Sequence, residues 1–237
     1  NPVKVPTDTA KSVDSHFDCH INLQNSVSHS ASRKRANKSL MIPDLIAIRN
    51  ILILMYALYT ALLRIGLVLT FPYYLIRFRK YLPTISERLG FVPHCPDGNS
   101  IWVHAVSVGE IKAIDRLITG IRTNLPNRKL VLSTTTPSGY ELGLERTDVD
   151  HVIYFPLDLP GAVRRSLRRI RPEMIVVVET EIWPNYLRRC TEMQIPVFMV
   201  NGRISDKSFG RYRLASRWLP HVLDQYRLLG MQSESDA

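Results

Sequence analysis

Apolar positions along the chain follow three different patterns. From residue 1 to 40 they are isolated among Ser, Asn, Thr, Asp and Lys, at neither helical nor strand period. That stretch reads as an unstructured polar, basic tail or as an upstream extension, with Met41 directly after it. From 51 to 76 the chain is almost continuously apolar, ILILMYALYTALLRIGLVLTFPYYLI. A helix of that length spans a bilayer core of roughly 30 Å, at about 1.5 Å per residue. Arg64 stands at its middle, where a lipid-facing charge costs about 2.5–3.5 kcal/mol on insertion scales. Pro72 is expected to kink or end the helix. A membrane anchor over 45–80 is the expected reading, either spanning or lying in plane. A long hairpin buried in a soluble core is the alternative.

From about Leu82 the pattern becomes short apolar runs alternating with helical periodicity. Strands are predicted at 101–105, 129–133, 152–155, 174–178, 197–200 and 228–231. Runs such as MIVVV, apolar without alternation, belong to strands covered on both faces, as in parallel sheets. Between them Ile111, Ile114, Leu117, Ile118, Ile121 and Leu125 recur at helical spacing. Val163, Leu167 and Ile170 do the same, and so do Trp183, Leu187 and Cys190. Strand–helix alternation predicts an α/β domain over 82–237 with a Rossmann-like, doubly wound parallel sheet.

Composition narrows the function classes. The 237 residues carry a formal charge of +10. Residues 1–40 and 41–100 each hold six Lys or Arg against three Asp or Glu, while the remaining 137 hold 19 against 15. The globular part is therefore only mildly basic, which argues against a nucleic-acid partner. An anionic membrane fits the basic flanks, Arg33, Lys34, Arg35, Lys38 and Arg49 before the apolar segment and Arg77, Arg79 and Lys80 after it. Cys19, Cys95 and Cys190 are an odd, scattered set without metal-ligand spacing, so neither a disulfide scaffold nor a bound metal is expected.

In open α/β sheets ligands gather at the carboxyl ends of strands. The first such end is IWVHAVSVGE, where Ser107 and Gly109 form a small-residue turn and Glu110 opens a helix. Free N–H groups there suit an anion, although a Glu in a first turn also simply complements the helix dipole. The second, LSTTTPSGYE, offers Thr136, Ser138 and Gly139 as a hydroxyl-rich turn for sugar or phosphate oxygens, or Ser138 as a helix cap. In the third, YFPLDLPGAV, Asp158 shapes a loop ahead of Arg164, Arg165, Arg168, Arg169 and Arg171. Those arginines read as a solvated helix face or as a membrane-facing basic patch. The fourth, VVVETEIWPN, releases Glu179 and Glu181 from a buried strand, where desolvation raises carboxyl pKa values. The fifth adds Asn201, Arg203 and Ser205.

In this order, SERLGF (86–91), HAVSVGE (104–110), TPSG (136–139), FPLDLPGAV (155–163), ETEIWPN (179–185), NGRIS (201–205) and QSESDA (232–237) resemble the Kdo (3-deoxy-D-manno-octulosonic acid) transferases of Gram-negative lipopolysaccharide synthesis. Ser86 departs from the Gly usual in that family. The resemblance implies the N-terminal, acceptor-side half of a two-domain B-type glycosyltransferase behind a membrane anchor. It implies transfer of Kdo from CMP-Kdo to a lipid A precursor, lipid IVA, at the cytoplasmic face of the bacterial inner membrane, without a bound metal or other cofactor. Carried over by motif, Glu110 is the proton acceptor and Glu179 the transition-state stabiliser. CMP-binding motifs and a second stabiliser, a lysine, are expected in a C-terminal half beyond Ala237, so the chain alone is expected to be inactive. Another lipid glycosyltransferase, or a membrane-tethered binding module without catalysis, stays open as an alternative.

Overall fold

All six apolar runs become strands: β1 (Ser100–His104), β2 (Lys129–Thr134), β3 (His151–Tyr154), β4 (Pro172–Val178), β5 (Val197–Gly202) and β6 (Leu228–Met231). They are seen in a computed structural model that describes residues 42–77, 79–203 and 218–233. The expected tail at 1–40 lies outside those residues, as do Ser205 and most of the 232–237 motif. Every pairing is parallel and the order is β3-β2-β1-β4-β5-β6. Parallel neighbours need crossover helices, and the helical periodicities supply them. They are α1 (Ile42–Arg77), α2 (Ile85–Arg88), α3 (Val108–Ala113), α4 (Asp115–Asn124), α5 (Pro137–Leu144), α6 (Pro160–Ile170), α7 (Pro184–Glu192) and α8 (Leu219–Leu223).

Alternation along β1 divides the core. Trp102 faces a layer with Phe155, Val163, Leu167, Tyr186 and Leu187, on the side of α6 and α7. Ile101 and Val103 face Ile111, Ile118, Leu130 and Leu132, on the side of α3 and α4. The sheet is covered on both faces, which is why its runs are apolar at consecutive positions. This is the Rossmann-like α/β fold. The order reverses between β1 and β4, so the crevice outside their carboxyl ends is the topological switch point.

Three local readings change. The series from Ile111 to Leu125 is two helices, because Ile114 leaves helical geometry at φ −104°, ψ 15°. Bonds from Ile114 N–H to Glu110 O (3.1 Å) and from Ile118 N–H to Ile114 O (3.0 Å) carry through the bend. Second, α1 does not end at Pro72 but runs on to Arg77. Third, two of the clustered arginines, Arg165 and Arg169, are half-buried, whereas Arg164, Arg168 and Arg171 are exposed as a solvated face would have them. Arg165, Arg169 and Arg171 donate to the carbonyls of Leu89, Val92 and Pro96. The segment they hold has no regular structure, and its carbonyls need donors from elsewhere. Gly90 lies where it crosses α6, at φ +90°, and a Cβ there would stand 2.4 Å from the Ala162 carbonyl oxygen.

The chain divides into a unit Asn1–Ile48 and a unit Arg49–Ala237, and the second holds the sheet together with most of α1. Within it α1 has two unlike faces. Tyr56 and Thr60 are 6% and 8% exposed, while Leu54, Leu58, Leu62 and Leu69 are between 57% and 73% exposed.

Candidate active site

The loop from β1 into α3 is built around Glu110. Ser107 is the N-cap of α3, and its hydroxyl accepts from the Glu110 N–H. In return the Glu110 carboxylate accepts from the Val106 N–H (2.7 Å) and the Ser107 hydroxyl (3.2 Å). This is a variant of the S-x-x-E capping box, in which Glu110 reaches the N–H of Val106, one residue before the N-cap, instead of that of Ser107. The dipole-complementing role is therefore real, and the same bonds fix the carboxylate rigidly while it is 8% exposed. Burial pushes its pKa up, the bonds from Val106 and Ser107 oppose that, and the nearby charge of Glu179 adds to the rise.

Glu179 follows β4, and its φ of +59° is in the left-handed region that a non-glycine residue adopts only when its surroundings impose it. The surroundings are identifiable. Its N–H donates to Val200 O (2.9 Å), and the next residue, Thr180, exchanges hydrogen bonds with the Arg203 backbone. Asn201, at the end of β5, is also left-handed at φ +58°. Two adjacent strand ends thus turn together and bring the 179–181 segment over the crevice.

Glu181 completes the group, and its weight was not visible from the motifs. Burial first, then the charges of Glu110 and Glu179, push its pKa up to about 7, with the Trp183 indole opposing. Its backbone carbonyl is held by the Tyr226 hydroxyl at 2.7 Å. Three carboxylates from two neighbouring strand ends feel one another's charge at the switch point, and among the described residues none of them has an ion-pair partner. Among the described residues no group of three or more His, Cys, Asp or Glu is placed to hold a metal ion. Burial and neighbouring negative charge raise the basicity of the Glu110 carboxylate, which favours its taking up a proton.

The raised pKa has a consequence for stability. The ordinary glutamate value is 4.5 and the folded value about 7, so the folded state binds the proton more tightly. Stability from this group is full below the unfolded value and is lost as pH rises through 7. Replacing Glu181 with Gln should remove that loss. At pH 8 the variant should be more stable by about 2 kcal/mol, or roughly 4–8 °C in thermal midpoint, and the difference should shrink as pH falls and vanish below the unfolded value of 4.5. Thermal melts of both proteins across that range check the sign.

The threonine-rich turn after β2 packs on the same loop. Hydroxyls of Thr134, Thr135 and Thr136 all donate to the Val106 carbonyl, at 2.8, 3.3 and 3.3 Å. Val106 is therefore fixed by Glu110 through its N–H and by β2 through its carbonyl. Thr136, rather than Ser138, is the N-cap of α5, accepting from the Gly139 N–H at 3.1 Å. Gly139 is buried against the Thr134 hydroxyl, 2.5 Å from where a Cβ would stand. Ser138 and Gly109 are exposed at the openings of α5 and α3, and Arg203 is exposed after β5.

Two buried residues behind the crevice were not singled out as site residues. His104, last in β1, has its Nδ1 at 2.9 Å from the Ser133 hydroxyl and 3.2 Å from the Ser133 carbonyl, and its ring stacks on Phe155 at 3.8 Å. Burial pushes its pKa down to about 3, against the bond to Ser133. Asp158 is 2% exposed and accepts from the N–H groups of Asn185 (3.0 Å) and Tyr186 (2.7 Å) and from the Tyr59 hydroxyl (2.9 Å). It caps α7 across 27 residues, since the local N-cap, Trp183, offers no side-chain bond. Burial pushes its pKa up to about 7 despite these three donors. The signal for both was their place in the HAVSVGE and FPLDLPGAV motifs.

Comparison with known sequences bears on this site. Residues 83–237 match the profile of the family described as 3-deoxy-D-manno-octulosonic-acid transferase (kdotransferase). A 3-deoxy-D-manno-octulosonic acid transferase of Haemophilus influenzae is 34% identical over 161 residues, 66% of this chain and 38% of that protein. A bifunctional glycosyltransferase/methyltransferase of Fusobacterium nucleatum is 31% identical over 183 residues, 76% of this chain and 28% of that protein. A probable mitochondrial 3-deoxy-D-manno-octulosonic acid transferase of Arabidopsis thaliana is 36% identical over 118 residues, covering 49% and 26%. The chain thus spans well under half the length of these relatives.

Proposed function

This chain belongs to the 3-deoxy-D-manno-octulosonic-acid transferase family, and from that premise we propose that it is the acceptor-side half of an enzyme transferring Kdo from CMP-Kdo to lipid IVA. One observation supports the reading beyond family membership: the buried, rigidly held Glu110 at the switch point between β1 and β4, within reach of the charges of Glu179 and Glu181.

In the proposed reaction a sugar hydroxyl of the lipid precursor attacks the anomeric carbon of Kdo. A carbon–oxygen bond forms there, and the bond to the CMP phosphate breaks with its electron pair leaving on the phosphate. The hydroxyl proton passes to the Glu110 carboxylate, a base held in one orientation by Val106 and Ser107. Glu179 offsets the positive charge that develops at the sugar as the leaving group departs. The turns carrying Gly109, Ser138, Asn201 and Arg203 contribute polar groups to the acceptor. Donor binding falls to a second half, and no metal is required. The apolar α1 keeps the crevice at the cytoplasmic face of the inner membrane, where the acceptor lipid resides.

A binding experiment on the chain itself tests the division of labour. Calorimetry should give a saturable signal for lipid IVA in detergent micelles and none for CMP. Tight CMP binding without lipid binding would overturn the assignment of this half.

A further inference from the structure

Helix α1 is apolar enough over Arg49–Tyr73 to cross a membrane, and it is also fastened to the domain through one turn, residues 56–60. The fastening lies at the middle of that segment. The Tyr59 hydroxyl donates to Asp158, Thr60 and Asn185 exchange side-chain hydrogen bonds at 3.0 and 3.2 Å, and Gln225 donates to the Tyr56 hydroxyl. Trp218 packs on the rings of Tyr56 and Tyr59 at 5.4 and 5.7 Å, and the Arg188 guanidinium lies over Tyr56 at 5.0 Å. A helix crossing the bilayer would carry this polar seam, with Asp158 and Asn185, to the centre of the hydrocarbon, where unpartnered polar groups of the attached domain find no water.

The opposite face is of another kind. Ile51, Leu54, Leu58, Leu62, Ile65 and Leu69 recur at spacings of three and four, and all are exposed. At about 100° per residue, Tyr56, Tyr59 and Thr60 centre roughly 150° from this stripe. Arg64 stands roughly 120° from it, on the flank, where a long side chain reaches the headgroup level instead of the acyl interior. Val68, also exposed, stands roughly 80° from the stripe and widens the apolar surface on that flank. The arginine that is costly for a spanning helix is well placed for one lying flat.

We infer that α1 lies in the plane of the membrane, held to the domain at its tyrosine turn, with the 51–69 stripe sunk into an anionic lipid surface. This deepens the membrane seat of the proposed function and rests on it. The occupant of the exposed face is lipid, because the stripe is apolar along at least five turns and is flanked by Arg49 and Arg64.

Depth measurement on the whole chain tests it. Single cysteines at Leu54, Leu58, Leu62 and Leu69, in a Cys19→Ser background with the buried Cys95 and Cys190 retained, would carry an environment-sensitive fluorophore. Vesicles of phosphatidylethanolamine and phosphatidylglycerol with quenchers at graded acyl positions then report the depth of each. A flat helix puts all four labels at one shallow depth, within a few ångströms of each other. A spanning helix spreads them, because the 15 residues from 54 to 69 rise about 22 Å. Leu62 markedly deeper than Leu54 and Leu69 would overturn the inference. Labels beyond reach of every lipid quencher would overturn it too, by showing the stripe covered by protein. Kdo transfer by an enzyme containing this chain is assayed separately, so either result leaves the catalytic reading standing or falling on its own.

Discussion

Changing Glu110 to Gln, in a polypeptide that contains both halves of the enzyme, should lower single-turnover Kdo transfer by about 10²–10⁴. That loss corresponds to roughly 3–5 kcal/mol of barrier. Glutamine keeps the shape, and its carbonyl oxygen still accepts from the Val106 N–H, now 2.7 Å from the carboxylate. What it lacks is the capacity to take the hydroxyl proton. The capping role sets the scale of the alternative, since a dipole-complementing Glu is worth about 0.3–1 kcal/mol of stability. Because Glu110 also caps α3, the midpoint should shift by no more than that amount in either case. A catalytic Glu110 moves the rate as well, and a Glu110 that only caps leaves it in place. Both quantities are to be measured on the same sample, and near-normal turnover would sink the role of base.

Asp158 should matter through stability instead. Replacing it with Ala strands three buried donors at once: Asn185 N–H, Tyr186 N–H and the Tyr59 hydroxyl. Each orphaned donor costs about 1–3 kcal/mol, less whatever water or relaxation recovers. A net loss of about 3 kcal/mol is expected, some 6–12 °C in midpoint for a domain of this size. The cap of α7 and the seat of α1 should fail together, because one carboxylate serves both. Amide exchange at the start of α7 should accelerate along with exposure of Tyr59. If α7 keeps its protection while only α1 loosens, the shared-carboxylate account is wrong.

The strands were legible because a sheet covered on both faces leaves nothing to confuse with a polar alternation. Glu110 and Glu179 were legible for a related reason, since strand ends in such sheets are where chemistry gathers and both stand in specific motifs. Glu181 was visible as a carboxylate leaving β4, but its burial depends on the left-handed turn at Glu179, which the sequence does not announce. Asp158 was harder still. It reads as a loop former, and its partners are 27 and 99 residues distant in the chain. The half-burial of Arg165 and Arg169 was not legible, because local spacing sees the helix face they occupy and not the carbonyls of Leu89 and Val92 lying across it. The bend at Ile114 left the periodicity intact, so nothing in the pattern marked it.

The insulated His104 gives the chemistry a thermal signature. An imidazole held neutral down to about pH 3 takes no part in titration near neutrality. An acid limb in the rate profile close to neutrality would ordinarily be credited to histidine, whose unperturbed value lies in that region. In this domain the limb is assigned to Glu110, whose pKa burial pushes upward. Carboxylic acids ionise with almost no heat, whereas imidazolium absorbs a good deal, so the two respond differently to warming. The midpoint of the acid limb should stay fixed between 10 and 37 °C, where a histidine limb would drift steadily downward.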